Sequence, residues 1–462
     1  MLFSSITFLY GFLPVVVAGY YLIPKKLRNI WLLIMSLVFY GWGEHRFLLV
    51  IILTVLVGYI SGIMTEKYSG RKSTIWFLSG VFIELGSLVF FKYSNFFIEN
   101  YNVLTGQYYK MIKIALPLGI SFYTFQILSY NIDVYRKRVK AQHNLIDLSC
   151  YVCLFPQLIA GPIVRYQTIE KELRSKNESV DKFSSGVIRF VTGLGKKVLL
   201  ANVAGEIYNE INALSDEKSS IVLMWIATIA FSFQIYFDFS GYSDMAIGLG
   251  RMFGFKFLEN FDHPYMSKSI TEFWRRWHIS LSGWFRDYLY IPLGGNRKGK
   301  IRQVGNLMIV WLVTGLWHGA AWNFIIWGGY YFILLMIEKL GFEKVLKKLP
   351  GFIARLYTLF FVNLGWVIFA YDDFKLLKEK LRKLFLGKGL SFAGNSTMFY
   401  ISEFLLFFIL AGIFSTDFIK KIKIKNENIK TVLMVLFVLI VMTLSTAFLA
   451  AGAYNPFIYF RF

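Results

Sequence analysis

Residues 306–337 read NLMIVWLVTGLWHGAAWNFIIWGGYYFILLMI. This run contains no Asp, Glu, Lys or Arg, and its one histidine is His318. A helix rises about 1.5 Å per residue, and the hydrocarbon core of a bilayer is about 30 Å thick. The run is therefore too long for one helix that crosses a bilayer perpendicularly. We predict that it divides near Gly315–Gly319 or forms one strongly tilted helix.

The rest of the chain has the same apolar character. Of its 462 residues, 56% are hydrophobic, and many other runs reach the roughly 20 residues that span a bilayer. The 47 Phe and only 9 Pro exclude a disordered chain. We predict an all-α polytopic membrane protein with about 10–12 membrane segments, some of them re-entrant or interfacial. We expect one membrane domain over residues 1–462 and no soluble domain.

Two cysteines, Cys150 and Cys153, stand in one apolar run without a second pair. This arrangement excludes a disulfide scaffold and argues against zinc or thioredoxin chemistry. We therefore expect no metal site and no bound cofactor.

The charge of the chain is unevenly distributed. There are 50 Lys+Arg against 28 Asp+Glu, a net charge of +22. Dense basic clusters occur at Lys25–Arg28, Lys67–Lys72 and Arg136–Lys140, in every second loop. The positive-inside rule places these loops in the cytoplasm and the N-terminus outside. The charge thus indicates a lipid bilayer as the partner of this surface, and we expect no nucleic acid.

Several segments predict local features. The first apolar run, Leu2–Pro24, has no basic start and no small-residue cleavage site, so we expect a retained span. A span is predicted over 75–91 and a polar loop over 92–113. Pro156, Gly161 and Pro162 predict a broken or re-entrant helix within 146–164.

Further predictions concern the charged residues of the second half of the chain. Asp238 and Asp244 flank Gly241, where we expect a turn at a helix end. We interpret the two carboxylates as structural, through packing or an interaction with the basic segment. The basic segments Lys375–Lys383 and Lys420–Lys430 are separated by one span, and their sidedness stays open.

Two histidines are candidate site residues. His318 lies in the middle of the apolar run among small residues, where an imidazole is suited to general base catalysis or a proton relay. His278 lies in Ser269–Tyr290, which we predict to be one amphipathic, aromatic-rich helix at the cytoplasmic interface. Its start carries the capping-box pattern Ser269-x-x-Glu272. The other three histidines, His45, His143 and His263, are interpreted as loop residues.

A glycine-rich turn with four cations follows that helix. Backbone amides and positive charge in such a turn can bind the phosphates of an anionic donor. A positive-inside loop explains the same residues equally well. The candidate donor-binding residues are Arg297, Lys298, Lys300 and Arg302.

These stretches resemble the membrane-bound O-acyltransferase (MBOAT) family, in particular its alginate O-acetylation branch. The resemblance lies in Thr314–Ala320 (TGLWHGA) and Phe273–Gly295 (FWRRWHISLSGWFRDYLYIPLGG). It extends to Leu116–Gln126 (LPLGISFYTFQ), Leu154–Ile163 (LFPQLIAGPI) and Tyr236–Gly248 (YFDFSGYSDMAIG).

The resemblance implies membrane helices around a central tunnel, with the motif histidine at His318 and the second motif position at His278. It implies that the donor is acetyl-CoA or another cytoplasmic acyl thioester. The acyl group is then presented outside to a polysaccharide, usually through an extracytoplasmic SGNH-type acetyltransferase, at the bacterial cytoplasmic membrane. Within the family, D-alanyl and lipid O-acyltransferases remain alternatives. From another class, a glycan or lipid transporter would also suit broken helices.

Overall fold

The computed structural model describes residues 1–387, 389–422, 424–452 and 454–458, and throughout these ranges the regular structure is helical. Seven described segments are long and apolar enough to cross a membrane, namely Lys25–Lys67, Gly70–Thr105, Ile221–Met252, Trp322–Lys348, Gly351–Ala370, Asn395–Phe414 and Glu427–Ala450. The first of them contains two helices, and Thr7–Leu22 is a shorter apolar helix. The predicted all-α polytopic membrane class is confirmed.

The chain divides into two compact units, and each is described by itself. Met1–Val191 and Tyr242–Glu259 form the first unit, whereas Thr192–Gly241 and Asn260–Phe462 form the second. The expectation of one membrane domain stays a prediction.

The first unit is built from the helices of the N-terminal half. They are α1 (Leu13–Leu22), α2 (Arg28–Glu44), α3 (Leu48–Lys67), α4 (Gly70–Thr105), α5 (Ile120–Tyr135), α6 (Leu145–Cys153), α7 (Phe155–Leu158), α8 (Tyr166–Arg174) and most of α9 (Val180–Gly195). The predicted polar loop over 92–113 is wrong in its first part, because α4 continues to Thr105. The predicted break within 146–164 is confirmed, since α6 ends at Cys153 and α7 covers only four residues.

The predicted basic loops of the first unit meet. Residues 65–70, 73–74, 134–135 and 137–140 line one cavity, and the hydroxyl groups of Thr74 and Tyr135 lie 3.0 Å apart. The clusters Lys67–Lys72 and Arg136–Lys140 therefore lie at the same end of α3, α4 and α5, as the positive-inside pattern requires.

The second unit holds the remaining helices. They are α10 (Asn202–Asn212), α11 (Ile221–Met252, whose last part belongs to the first unit), α12 (Ile270–Arg276), α13 (Ile279–Phe285), α14 (Lys300–His318), α15 (Trp322–Ile337), α16 (Glu343–Lys348), α17 (Gly351–Ala370), α18 (Phe374–Leu386), α19 (Asn395–Phe414), α20 (Phe418–Lys421) and α21 (Glu427–Ala450).

The apolar run 306–337 divides as predicted, because α14 ends at His318 and α15 begins at Trp322. The two helices pack directly on each other at glycines. A Cβ atom on Gly315 would lie 2.2 Å from the carbonyl oxygen of Phe324, and one on Gly328 would lie 2.3 Å from that of Trp311. Only the absence of a side chain allows this approach, which fixes the position of His318 at the end of α14.

Two local predictions are wrong. The expected turn at Gly241 does not exist, since α11 is helical through it and a Cβ there would meet the carbonyl oxygen of Gly193 at 2.7 Å. The glycine serves close packing. The Asp238 carboxylate instead forms a buried ion pair with Lys197 at 2.8 Å and accepts a hydrogen bond from the amide of Ile458 at 2.8 Å. This agrees with the structural interpretation of the carboxylate.

The second correction concerns Ser269–Tyr290, which is not one helix. α12 ends at Arg276, His278 has φ 46° and ψ 54°, and α13 begins at Ile279. The predicted start is correct, because the Ser269 hydroxyl accepts a hydrogen bond from the amide of Glu272 at 3.0 Å. The helical wheel failed because periodicity continues across a single left-handed residue that tertiary contacts hold.

Candidate active site

His318 lies at the last position of α14 and is only 7% exposed. Aromatic rings surround its imidazole: Trp317 at 5.0 Å, Trp327 at 5.1 Å and Phe369 at 5.4 Å between centroids. Trp327 belongs to α15 and Phe369 to α17. Three helices therefore hold one imidazole in an apolar setting.

His278 occupies the turn between α12 and α13 and is 2% exposed. The left-handed conformation is unfavourable for a residue with a side chain, by about 1–3 kcal/mol. Its imidazole packs edge-on against Phe239 at 4.7 Å and lies 6.0 Å from the ring of Trp317. Trp317 thus contacts both histidines, and the two candidates predicted from sequence belong to one site.

Asn260 holds His278 in place, and it is fully buried. Its Oδ1 atom lies 3.0 Å from Nδ1 of His278, and it accepts hydrogen bonds from the amide of Ser280 at 3.2 Å and the Ser280 hydroxyl at 2.9 Å. Its backbone carbonyl accepts a hydrogen bond from the amide of Ile279 at 2.9 Å. The sequence analysis missed this residue, since nothing in its local pattern distinguishes it from a loop asparagine.

These contacts define the tautomer of His278. An amide N–H is always a donor, so the atom of Asn260 that receives the Ser280 amide must be the oxygen. Nδ1 of His278 therefore carries the proton, and Nε2 has a free lone pair. Nε2 is buried without a hydrogen-bond partner among the described residues. Burial lowers the pKa of His278 to about 3, which keeps the ring neutral at physiological pH.

A cavity of about 260 Å³ is lined by both histidines. Its wall follows α14 from Leu307 through Trp311 to His318 and also includes Arg275 and Arg286. Arg286 is paired with Asp287 at 2.8 Å, whereas no ion pair of Arg275 is found in the described part of the chain. The cavity wall thus combines cationic side chains with aromatic rings and two imidazoles, which suits an anionic molecule with a long uncharged arm.

A second cavity, of about 420 Å³, begins directly after His318. The linker Gly319–Ala321 forms part of its wall, together with the polar residues Gln234, Asn323 and Asp372. Oδ1 of Asn323 is buried and has no hydrogen-bond partner among the described residues, although its Nδ2 donates to the carbonyl of Phe369 at 3.2 Å. The second cavity is therefore suited to a polar, hydroxyl-bearing molecule.

The four predicted donor-binding cations lie beside the first cavity rather than in its wall. Arg297, Lys298, Lys300 and Arg302 are absent from its lining, and Nε of Arg302 donates to the carbonyl of Leu293 at 3.3 Å. A further cavity, of about 440 Å³, is lined by Lys268 and shares Thr271 and Arg275 with the histidine cavity. The cations in the wall of the histidine cavity are thus Arg275 of α12 and Arg286, which follows α13, and the role of the glycine-rich turn stays a prediction.

The remaining predicted features are placed elsewhere. The side chain of His143 is exposed and contacts Glu66 at 2.9 Å, which agrees with a loop residue. Cys150 and Cys153 are both buried and unbonded. Among the described residues, no group of three His, Cys, Asp or Glu side chains could hold a metal ion.

Two buried imidazoles that line one cavity, with His318 directly preceding the linker that lines a second, polar cavity, define a polytopic membrane protein equipped for general base chemistry. The model of the membrane-bound O-acyltransferase family matches residues 72–377. The chain belongs to this family, and the predicted O-acyltransferase activity class is confirmed. A transporter is no longer supported.

Named relatives agree with the family. The probable alginate O-acetylase AlgI of Pseudomonas aeruginosa is 42% identical over 391 residues, which cover 83% of this chain and 75% of the relative. A peptidoglycan O-acetyltransferase of Helicobacter pylori is 33% identical over 442 residues, which cover 88% of this chain and 83% of the relative. A teichoic acid D-alanyltransferase of Bacillus subtilis is 32% identical over 56% of this chain and 69% of its own length.

Proposed function

We propose that this protein takes an acetyl group from a cytoplasmic thioester, acetyl-CoA. The acetyl group is then used to O-acetylate a polysaccharide outside the cytoplasmic membrane. The observation that carries the proposal is the position of His318, which lines a cavity that also holds Arg275 and Arg286 and directly precedes the linker that lines a polar cavity. Relatives named for alginate and peptidoglycan O-acetylation support the acetyl group and the glycan.

In the proposed reaction, neutral His318 takes the proton of an acceptor hydroxyl, and the oxygen attacks the thioester carbonyl carbon. The tetrahedral intermediate collapses by breaking the carbon–sulfur bond. The imidazolium of His318 returns the proton to the leaving thiolate, so the products are an acetate ester and a free thiol. No net proton is gained or lost.

His278 has a narrower role in this proposal. Since Nδ1–H points to Asn260, its free Nε2 can accept a hydrogen bond but cannot donate one to an oxyanion. We therefore propose that His278 orients a substrate by accepting a hydrogen bond from an N–H or O–H group of that substrate. The other role considered for His278, stabilising charge near the carbonyl, would need a proton on Nε2.

The central test is the variant His318→Ala, scored as base-labile acetate on surface polysaccharide per amount of inserted protein. We expect loss of acetylation, whereas His278→Ala lowers it and the exposed-histidine control His143→Ala leaves it unchanged. Undiminished acetylation by His318→Ala would overturn the proposed base.

The donor end has its own test. We propose that Arg275 and Lys268 bind the phosphates of the donor. Arg275 lines the histidine cavity, and both residues line the cavity of about 440 Å³ that shares Thr271 and Arg275 with it. The variant Arg275→Gln/Lys268→Gln should raise KM for acetyl-CoA about tenfold with little change in kcat. The variant Arg297→Gln/Lys298→Gln tests the glycine-rich turn by the same measure. An unchanged KM in both would remove both assignments.

D-alanyl transfer from a carrier-protein thioester is the second candidate, favoured by the D-alanyltransferase relatives. Labelled acetyl-CoA and a D-alanyl carrier thioester, offered in turn to purified protein, distinguish the two. We further propose that an extracytoplasmic SGNH-type acetyltransferase receives the acetyl group. Co-purification with such a protein and loss of glycan acetate upon its removal test this part.

A further inference from the structure

A second cationic cavity lies in the first unit, and the proposed function does not use it. It has a volume of about 800 Å³ between the α3–α4 turn and the segment that follows α5. Lys67, Lys137, Arg138 and Lys140 contribute its positive charge. Four cations around one concave surface create a local potential that favours an anion.

The acidic groups nearby are already engaged. Glu66 accepts a hydrogen bond from the amide of Ala141 at 2.9 Å and contacts His143 with its other oxygen at 2.9 Å. Asp133 is buried beneath Arg138, at 3.6 Å. Within the described residues, no carboxylate forms an ion pair with Lys67, Lys137 or Lys140, so their charge is available to a ligand.

The backbone at Lys137 provides an independent observation. This residue has φ 56°, a conformation that follows a helix end and usually belongs to glycine. The chain therefore places a lysine where glycine is least strained. A basic side chain thus occupies this strained position in the cavity wall.

The cavity opens beside a surface that is suited to acyl chains. α4 leaves the turn with Ile75, Leu78 and Phe82 on one stripe, and these side chains are 56%, 54% and 79% exposed. Tyr68 and Tyr135 lie at the level of the cavity, as aromatic residues do at a membrane interface. Lys67 and Lys72 place their Nζ atoms 5.7 and 5.8 Å from the ring centroid of Tyr68.

We infer that this cavity binds the phosphate headgroup of an anionic phospholipid, whose acyl chains lie along the exposed stripe of α4. A free anion would use the cations but not the apolar stripe, so the continuity of the two surfaces favours a lipid. The inference does not rest on the proposed function, because it involves only residues of the first unit.

The test measures the affinity of the purified full-length protein for phosphatidylglycerol in mixed micelles, with phosphatidylcholine as the neutral reference. We expect selective binding of phosphatidylglycerol and an increase in Tm. The variant Lys67→Gln/Lys137→Gln should bind it roughly 30-fold more weakly, at about 5-fold per lysine. The variant Lys67→Arg/Lys137→Arg should retain binding and shows that charge, rather than folding, is responsible.

The matched control is Lys25→Gln/Lys26→Gln, which removes two exposed charges outside the cavity. An equal loss in this control would overturn the inference in favour of diffuse surface charge. An increase in Tm with glycerol phosphate equal to that with phosphatidylglycerol would overturn the lipid as the ligand, and the ligand would then be a soluble phosphate. Equal binding of phosphatidylcholine would overturn the anionic headgroup.

Discussion

Asn260 is the residue on which the orientation of His278 depends, and its replacement gives a quantitative prediction. In Asn260→Leu, the number of side-chain heavy atoms is kept, but the Nδ1–H of His278 and the amide of Ser280 lose their acceptor. Each buried donor without a partner costs about 1–3 kcal/mol. The imidazole can change its tautomer, whereas the Ser280 amide stays without an acceptor, so we expect the free energy of unfolding to fall by about 1–3 kcal/mol.

The same variant changes the chemistry of the cavity. The Ser280 hydroxyl lies 3.5 Å from Nδ1 of His278 and becomes free to donate to it. This favours the tautomer with the proton on Nε2, which converts that atom from an acceptor to a donor. A lost hydrogen bond of about 1.5–3 kcal/mol in the transition state lowers kcat about 10- to 100-fold.

The assay compares kcat of detergent-purified, monodisperse protein for acetyl transfer, together with Tm and the pH profile. Asn363→Leu is the control, because Nδ2 of Asn363 donates to Ser232 at 2.8 Å in the same unit but contacts neither histidine. The variant Asn260→Asp keeps the acceptor, and its charge raises the pKa of His278, so activity should fall at acidic pH. Full kcat of folded Asn260→Leu, with only Tm reduced, would refute the positioning role.

Three further predictions follow from buried groups. Because the pKa of His278 is about 3 in the folded state and about 6.5 in the unfolded state, stability should fall as pH drops below 6.5. The loss should reach about 2 kcal/mol at pH 5 and be absent from His278→Gln, as measured by denaturation across pH; a flat wild-type profile would contradict it. Gly315→Ala should lower Tm and activity by forcing α14 from α15, whereas Gly305→Ala, with open space around it, should not. Asp238→Ala should lower the free energy of unfolding by about 3–5 kcal/mol, because Lys197 stays buried without its carboxylate. Adding Lys197→Met should restore part of this stability. Equal stability of the single and double variants would refute the contribution of the ion pair.

The fold class could be read from the sequence because membrane helices are encoded locally. A run of apolar residues without charge has few alternatives to a helix in a bilayer, since every backbone amide must be paired within the segment. The division of 306–337 was also predictable, because Gly315 and Gly319 interrupt a run that is too long for one crossing. The same reasoning failed at 92–113, where polarity marks exposure but does not end a helix.

The site could be predicted only in part. His318 was found because an imidazole in an apolar run is costly to retain without a use. His278 was found as a candidate, but its left-handed turn was not, since the helical pattern of Ser269–Tyr290 continues across it. The contribution of Asn260 was invisible because it lies 18 residues away in the chain and acts through a tertiary hydrogen bond.

The sequence by itself determined a helical membrane protein, the basic ends of its helices and the two histidines, because burial in lipid and charge at its surface depend on composition. Only the tertiary structure decided which tautomer His278 adopts, which cations line the histidine cavity and which lysines surround the cavity of the first unit. These properties depend on distances of about 3 Å between residues far apart in the chain, and such distances arise only when the helices pack.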